Sequence, residues 1–265
     1  MVGRNSFFAR CFASTCADFS IRHVSIDDLD RPEVYEGVGT VVNFAFNPRL
    51  YREVYKPALD VDSKIAEKLA GRLLRYVLLS SRTVYGANAK WNAREDAETE
   101  GDSIYGMNRI AIERAVTERL DPARLTILRI SNTIAYEFQP GRRDTFMSIL
   151  LGALRERGEI HFEMNPQTRR DFITDDYFCC VLRRLIEAGA TGIFNVGCGF
   201  PVATGDIAGW IIEGFGNGRL IIGSDEVRDE FFLNTNRLRE RVGVALSAEA
   251  LRDRCREIGR RLAGA

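Results

Sequence analysis

Three observations predict an α/β architecture organised on a parallel sheet. Short apolar runs with strand character recur along the chain, at 20–26, 39–46, 76–79, 125–132 and 192–199. Stretches with helical patterning or helix-start residues lie between them, beginning near Ser6, Leu50, Ser103 and Gly205, and strands that alternate with helices build parallel sheets. The third observation is chemical. The run Tyr76-Val77-Leu78-Leu79 ends in the hydroxyl pair Ser80-Ser81, and the carboxyl ends of strands are where open α/β sheets bind ligands.

Composition sets the bounds around that architecture. A chain of 265 residues that is 45% hydrophobic and 10% aromatic has enough apolar side chain for a sizeable core. Thirty-seven acids balance 37 bases, which leaves no electrostatic footprint for nucleic acid or for an anionic membrane. No apolar run approaches the roughly 20 residues that span a bilayer, and the first residues lack the apolar stretch of a signal peptide. A cytoplasmic location is expected. The cysteines at 11, 16, 179, 180, 198 and 255 form no metal-spaced pair, and the histidines are His23 and His161, so reduced structural thiols are expected and a metal site is not.

Taken in order, the chain opens on Met1-Val2-Gly3-Arg4-Asn5-Ser6-Phe7-Phe8-Ala9. Gly3, Ser6 and Ala9 repeat at intervals of three, and small residues there let a backbone approach a pyrophosphate and let a helix start close to the sheet. Asn5 or Ser6 equally suits an ordinary N-cap for a helix through Cys16. Almost no strand precedes Gly3, which leaves either a stub or a start further upstream. Ser20–Ile26 reads as the second strand and ends in Asp27-Asp28-Leu29-Asp30. An acid at that place either holds an adenine ribose or caps a turn before Pro32. The third strand, Gly39–Phe46, leads to a helix from about Leu50 to Gly71. After the Ser80-Ser81 strand end, a helix starts near Ser103 and carries Tyr105 and Arg109 four residues apart on one face. A phenol that gives or takes a proton, a cation that favours its phenolate and a serine that holds a reacting oxygen make a proton-transfer set.

The segments Leu-Leu-Ser-Ser-Arg-Thr-Val-Tyr-Gly at 78–86 and Tyr-Gly-Met-Asn-Arg at 105–109 resemble the extended short-chain dehydrogenase/reductase family, whose members are NAD-dependent nucleotide-sugar epimerases, dehydratases and ketoreductases. Asn43-Phe44-Ala45-Phe46 and Arg170-Asp171-Phe172-Ile173 are similar to two further family segments, and the short form of the chain is similar to dTDP-4-dehydrorhamnose reductases. The resemblance implies a Rossmann-like, doubly wound parallel sheet with a small mixed C-terminal substrate lobe. Residues 1–135, with a returning segment at about 171–200, would hold NAD(P), and 136–170 and 201–265 would form the lobe. Hydride transfer at a sugar carbon is the implied chemistry, with Tyr105 as acid/base and Ser81, with Thr83 nearby, on the sugar oxygen. Arg109 stands where the family has the lysine that contacts the nicotinamide ribose.

By the same resemblance the cofactor would meet Gly3, Arg4, Asn5, Ser6, Phe7 and Phe8 at the first turn and Asp27, Asp28 and Leu29 at the ribose. Phe44, Ala45 and Phe46 would lie along it, with Asp60 where relatives have asparagine, and Tyr105 and Arg109 at the nicotinamide. NAD is the expected cofactor. NADP is the alternative, because Arg4 could pair with a 2′-phosphate. Asn132 and Arg170 fall where the family grips the diphosphate of a nucleoside-diphosphate sugar, the expected partner, and a guanidinium fork suits that anion. The helix at 50–71 and the Tyr105 helix imply a homodimer, and the loop from Gln139 to Gln167 would choose the sugar. Two functions stay open: an epimerase or ketoreductase, and a catalytically weak or inactive NAD(P)-binding protein of the same fold.

Overall fold

The computed structural model describes residues 1–86, 90–136 and 146–264. After the opening turn comes helix α1 (Phe7–Thr15), and then strand β1 (Thr40–Val42), helix α2 (Val61–Leu69) and strand β2 (Arg75–Ser81). A short strand β3 (Trp91–Ala93) precedes helix α3 (Ile104–Thr117), strand β4 (Leu125–Ile130) and strand β5 (Asn132–Ile134). The second half contains α4 (Phe146–Arg157), β6 (Glu159–Phe162), β7 (Arg169–Arg170), β8 (Phe172–Thr174), α5 (Asp175–Glu187) and β9 (Gly192–Val196). It ends with β10 (Val202–Ala203), α6 (Thr204–Phe215), β11 (Arg219–Ile222), β12 (Phe232–Leu233), α7 (Asn236–Val242) and α8 (Ala248–Ala263).

The central sheet has the order β1-β2-β4-β9, and every pairing in it is parallel. Successive residues of a strand point to opposite faces, and the core divides accordingly. Val41, Tyr76, Leu78 and Ile127 pack into one apolar cluster with α2 and α3 residues such as Ile65 and Ile112. Val42, Val77 and Leu128 pack on the other side with Phe12 of α1, Phe178 of α5 and Leu154 of α4. A strand buried on both faces reads as an unbroken apolar run, as 76–79 does. The returning strand β9 joins the edge beyond β4, and the remaining strands form small two-stranded pairs, β5 with β8, β6 with β11, β7 with β10 and β3 with β12.

Two expected elements differ in the structure. The stretch 20–26 forms no continuous strand; Val24 and Asn43 each make a single parallel bridge to Val2. A ladder cannot propagate along a partner that is one residue long. The expected helix from Leu50 to Gly71 is broken into 3-10 turns at Pro48–Tyr51 and Pro57–Leu59 before α2 begins. Lys56 is extended (φ −134°, ψ 122°), as a residue ahead of proline prefers, and Pro57 has no N–H to give. Asp60 then takes the N-cap, its Oδ1 accepting from Ser63 N at 3.0 Å.

One carboxylate ties the junction of β7 and β8 to the loop after β9 and to β12. Asp171, fully buried between β7 and β8, accepts from the N–H groups of Cys198 (2.8 Å), Gly199 (3.1 Å) and Leu233 (3.1 Å). It thereby fixes the loop after β9 and strand β12 against Arg170.

Candidate active site at the end of the central strand

Ser81 is the last residue of β2, and the chain turns there into a 3-10 turn, Arg82–Val84. The Ser81 Oγ accepts from Thr83 N at 3.2 Å and from Thr83 Oγ1 at 3.0 Å, so the two hydroxyls are already paired. Helix α3 starts against this turn. Ser103 caps it by accepting from Gly106 N at 3.0 Å, and a Cβ on Gly106 would lie 2.2 Å from Thr83 O. Glycine at 106 is what lets the first turn of α3, which carries Tyr105, touch the turn after β2.

Tyr105 and Arg109 meet as the i, i+4 spacing requires. Arg109 Nε donates to Tyr105 Oη at 3.0 Å, and Nη1 donates to Leu79 O at 3.1 Å, one strand residue short of Ser80. The guanidinium is 7% exposed and its Cζ lies 4.0 Å over the Phe46 ring. Tyr51 stacks on Tyr105 with centroids 4.9 Å apart, and Phe46 stands edge-on to both at 4.9 and 5.7 Å. Behind the cation, buried Asp62 accepts from Tyr76 Oη at 2.6 Å and Asn43 Nδ2 at 2.7 Å. Desolvation pushes the Asp62 carboxyl up to about 6, against the pull of Arg109. Burial likewise opposes the charge on Arg109, but Tyr105 and Asp62 outweigh it and hold the guanidinium above its ordinary value.

The opening turn lies just past the carboxyl end of β1. Gly3 has φ +86°, and a Cβ there would fall 2.6 Å from Ala45 N, so the turn and the Phe44-Ala45 backbone are in contact. Ser6 occupies the N-cap of α1 without a side-chain cap bond, which leaves the first amides of that helix with no side-chain acceptor. Arg4 and Asn5 are exposed beside them. The other expected cofactor residues divide by environment. Asp27 is exposed. Asp28 accepts from Ser25 N at 2.7 Å and pairs with Arg31, and the Ser25 bonds foremost hold its carboxyl low. Leu29 and Phe44 are core residues, and Phe8 packs on Phe178 at 4.6 Å. Asp60 is fully buried, with Ser63 and Tyr55 taking its two oxygens.

Asn132 opens β5 opposite Phe172. Arg170 donates from Nε to Asp229 O at 3.2 Å and from Nη2 to Arg228 O at 3.0 Å, and burial foremost, with Arg82 nearby, pulls its pKa down. Asp229, held at φ +53°, is the centre of a cluster that sequence reading missed. Its carboxylate takes Arg82 Nη2 at 2.6 Å and Lys90 Nζ at 3.1 Å, and Lys90 also reaches Asp102 at 2.6 Å. Arg82 carried a legible signal, being a charge inside the motif next to Ser81. Lys90 lies 139 residues from Asp229 and carried none, and Asp62 looked like one more acid in the first turn of a helix. Of the loop expected to choose the sugar, 139–145 lie outside the described residues.

Fold and site together define a doubly wound α/β protein with a half-buried tyrosine bonded to a buried arginine at the carboxyl end of its central strands. Residues 34–197 match the model of the NAD dependent epimerase/dehydratase family, and the chain belongs to that family. Among solved structures it is similar to a UDP-glucose 4-epimerase with UDP-glucose from Thermotoga maritima, with 17% identity, 98% of this chain and 97% of that one covered and a TM-score of 0.78. It is similar also to MoeE5 in complex with UDP-glucose and NAD (19%, 98% and 97%, 0.77). A third is the UDP-N-acetylglucosamine 4-epimerase from Methanobrevibacter ruminantium (15%, 98% and 96%, 0.78). Identities this low establish the shared fold alone. No curated protein sequence matches the chain.

The family's cofactor can be tested against these residues. At the phosphate end they fit: the Gly3 turn admits no side chain, and the uncapped start of α1 offers amides to an anion. Arg109, expected at the nicotinamide end, presents a guanidinium whose Cζ lies 4.0 Å from the centre of the Phe46 ring.

Proposed function

We propose that the chain is an NAD(P)-dependent epimerase or ketoreductase of nucleoside-diphosphate sugars, acting in the cytoplasm. The observation that carries this reading is the 3.0 Å contact of Tyr105 Oη with a buried, permanently charged Arg109 at the end of β2. NAD, when bound, supplies a hydride acceptor and donor. Gly3, Ser6 and the start of α1 bind its pyrophosphate, and Asp27 or Asp28 suits a ribose without a 2′-phosphate. Tyr105 moves the proton at the sugar hydroxyl, Arg109 donates to the same phenol oxygen and holds it in place, and Ser81, turning from Thr83, orients the sugar oxygen. Arg170 suits the diphosphate by its fork, and solved relatives crystallised with UDP-glucose support that ligand class. A homodimer through the 50–71 segment and α3 is supported by Tyr51 and Val54 ahead of α2 and Ile104 and Met107 on α3, large apolar side chains left exposed.

A specific observation favours a second reading, a cofactor-binding protein with little catalysis. The Phe46 ring sits 4.0 Å from the Arg109 carbon and edge-on to Tyr105, in the segment expected to lie along the cofactor. The test of the first reading is turnover of UDP-glucose and UDP-N-acetylglucosamine by wild type and Tyr105→Phe, with mass spectrometry of the freshly denatured protein for retained NAD. Wild-type turnover should fall by about 10²-fold or more in the variant. Equal activity in the two would remove Tyr105 from the chemistry, and retained NAD with no turnover of any nucleotide sugar would favour the second reading.

A further inference from the structure

Two acids open α2, and the helix needs only one of them. Asp60 is the N-cap, with Oδ1 accepting from Ser63 N and Oδ2 from Tyr55 Oη. Asp62 is the second residue of the helix and is 3% exposed. An acid in a first turn gains from the helix dipole while still in water, so the dipole does not explain why this one is buried at the cost that burial carries. Its contacts do. Asp62 Oδ1 accepts from Tyr76 Oη at 2.6 Å and from Asn43 Nδ2 at 2.7 Å, two donors that suit a group able only to accept.

Asn43, itself buried, passes the contact on. Its Nδ2 also donates to Ala45 O at 3.0 Å and its Oδ1 accepts from Ala45 N at 2.8 Å, so the side chain closes the 43–45 turn. Phe46 comes next in the chain, and its ring lies over the Arg109 guanidinium that donates to Tyr105 Oη. A path of contacts therefore leads from Asp62 to the phenol through the 43–46 turn and α3. The charges that face Asp62 are Arg109 from α3 and Asp60 on its own helix, while Tyr76 from β2 and Asn43 face it as hydrogen-bond donors. Desolvation foremost holds the Tyr76 phenol far up, so it stays neutral. Burial opposes the charge on both Asp62 and Arg109, and each favours the charge on the other. With desolvation pushing its carboxyl up to about 6, Asp62 changes charge close to neutral pH.

We propose that Asp62 is a positioning residue for the Tyr105–Arg109 pair: ionised, it holds the guanidinium by charge and, through Asn43, braces the turn that seats Phe46 on it. The catalytic consequence rests on the proposed function; the geometry rests on the contacts alone. Asp62 acts through Arg109 and does not itself meet the sugar. When Asp62 takes up a proton, the guanidinium loses that counter-charge, whereas the turn keeps its fold because a neutral carboxyl still offers an oxygen to Asn43. The result is a phenol held in a poorer place for proton transfer, in a chain that remains folded.

Asp62→Asn tests this cleanly, since the amide keeps an oxygen for Tyr76 and Asn43 and removes the charge. With UDP-glucose or UDP-N-acetylglucosamine as substrate, kcat at pH 8 should be roughly tenfold lower in the variant and KM within about twofold, because a misplaced catalytic group costs rate rather than ground-state binding. At pH 5, where wild-type Asp62 is protonated, the two kcat values should agree within about twofold. A residue that only supports the fold would give a ratio that does not change with pH. The Arg109 Nε–H resonance, followed by NMR, reads the same step without substrate: it should move with a midpoint of about 6 in wild type and stay fixed in the variant. Equal kcat at pH 8 would overturn the proposal, as would an Arg109 resonance in wild type that ignores pH. If wild type turns over neither sugar, the proposed function fails, and the resonance alone decides whether Asp62 positions Arg109.

Discussion

Arg109 and Arg129 are 7% and 4% exposed and are held in opposite ways. Arg129, on β4, grips Glu113 of α3 with two parallel contacts, Nη2 to Oε2 at 2.8 Å and Nε to Oε1 at 3.2 Å. Ser80 Oγ adds a third bond to that carboxylate at 2.5 Å, and Arg129 Nη1 reaches Tyr85 Oη at 3.0 Å, which in turn donates to Asn195 at 2.7 Å. Every strong donor and acceptor has a partner, so the group is architecture that binds β2, β4, β9 and α3 together. Among the described residues Arg109 makes no ion pair with a carboxylate; it rests on a phenol, a carbonyl and a ring face, with Asp62 behind. Under the proposed function, a buried cation beside a tyrosine in the first turn of α3 is what an arriving ligand would meet.

Removing the architectural cation should therefore cost most. Arg129→Met leaves Glu113 charged, buried and without its partner, and stability should fall by about 3–5 kcal/mol, read from guanidinium chloride denaturation. A loss under about 1 kcal/mol would mean that the two arginines are not different in kind. Asp62→Asn probes the other side of the comparison. Asp62 is an acid whose folded pKa is raised, from 3.8 to about 6, so the folded chain holds its proton more tightly than the unfolded chain. The stability that accompanies the protonated form is complete below pH 3.8, and it is lost as pH rises through about 6. Asparagine keeps an oxygen for Tyr76 and Asn43 and cannot ionise, so the variant should gain about 1–3 kcal/mol at pH 8 and nothing at pH 4. An equal effect at both pH values would show that Arg109 fully compensates the charge.

The same contrast explains what the sequence made legible. The strand 76–79, the Ser103 cap and the Tyr105–Arg109 face were readable because their determinants are local: apolar run, capping serine, spacing of four. The fold class followed from alternation alone. The Arg129–Glu113 pair was not readable, since its members sit 16 residues apart on a strand and a helix and look like any charges until the sheet brings them together. The break in the helix at 50–71 could have been read from Pro57. The loss of the strand at 20–26 could not, because its residues suit a strand and what fails is the partner beside them. At the site, sequence placed the phenol and the cation, while Phe46, Tyr51 and Asp62, which decide how the cation is held, come from three separate segments.

Arg109→Lys has the smallest expected effect on stability and the largest bearing on function. An ammonium can keep the Tyr105 or the Leu79 contact, but a single compact head does not bridge both while covering Phe46 as the planar fork does. The loss should be about 1 kcal/mol, the scale of one hydrogen bond and a ring contact. What separates the two functional readings is the sign of the change in cofactor binding and turnover. If Phe46, Tyr51 and Asp62 form a pocket suited to a guanidinium in a working enzyme, lysine leaves the charge misplaced and nucleotide-sugar turnover falls. If the site has decayed, lysine restores the family's ion, frees the Phe46 face and raises NAD affinity. Isothermal titration with NAD alongside turnover of UDP-glucose reads both quantities from one pair of proteins. No change in either would mean that Arg109 serves α3 as Arg129 serves the sheet, and the contrast between the two cations would then be one of geometry alone.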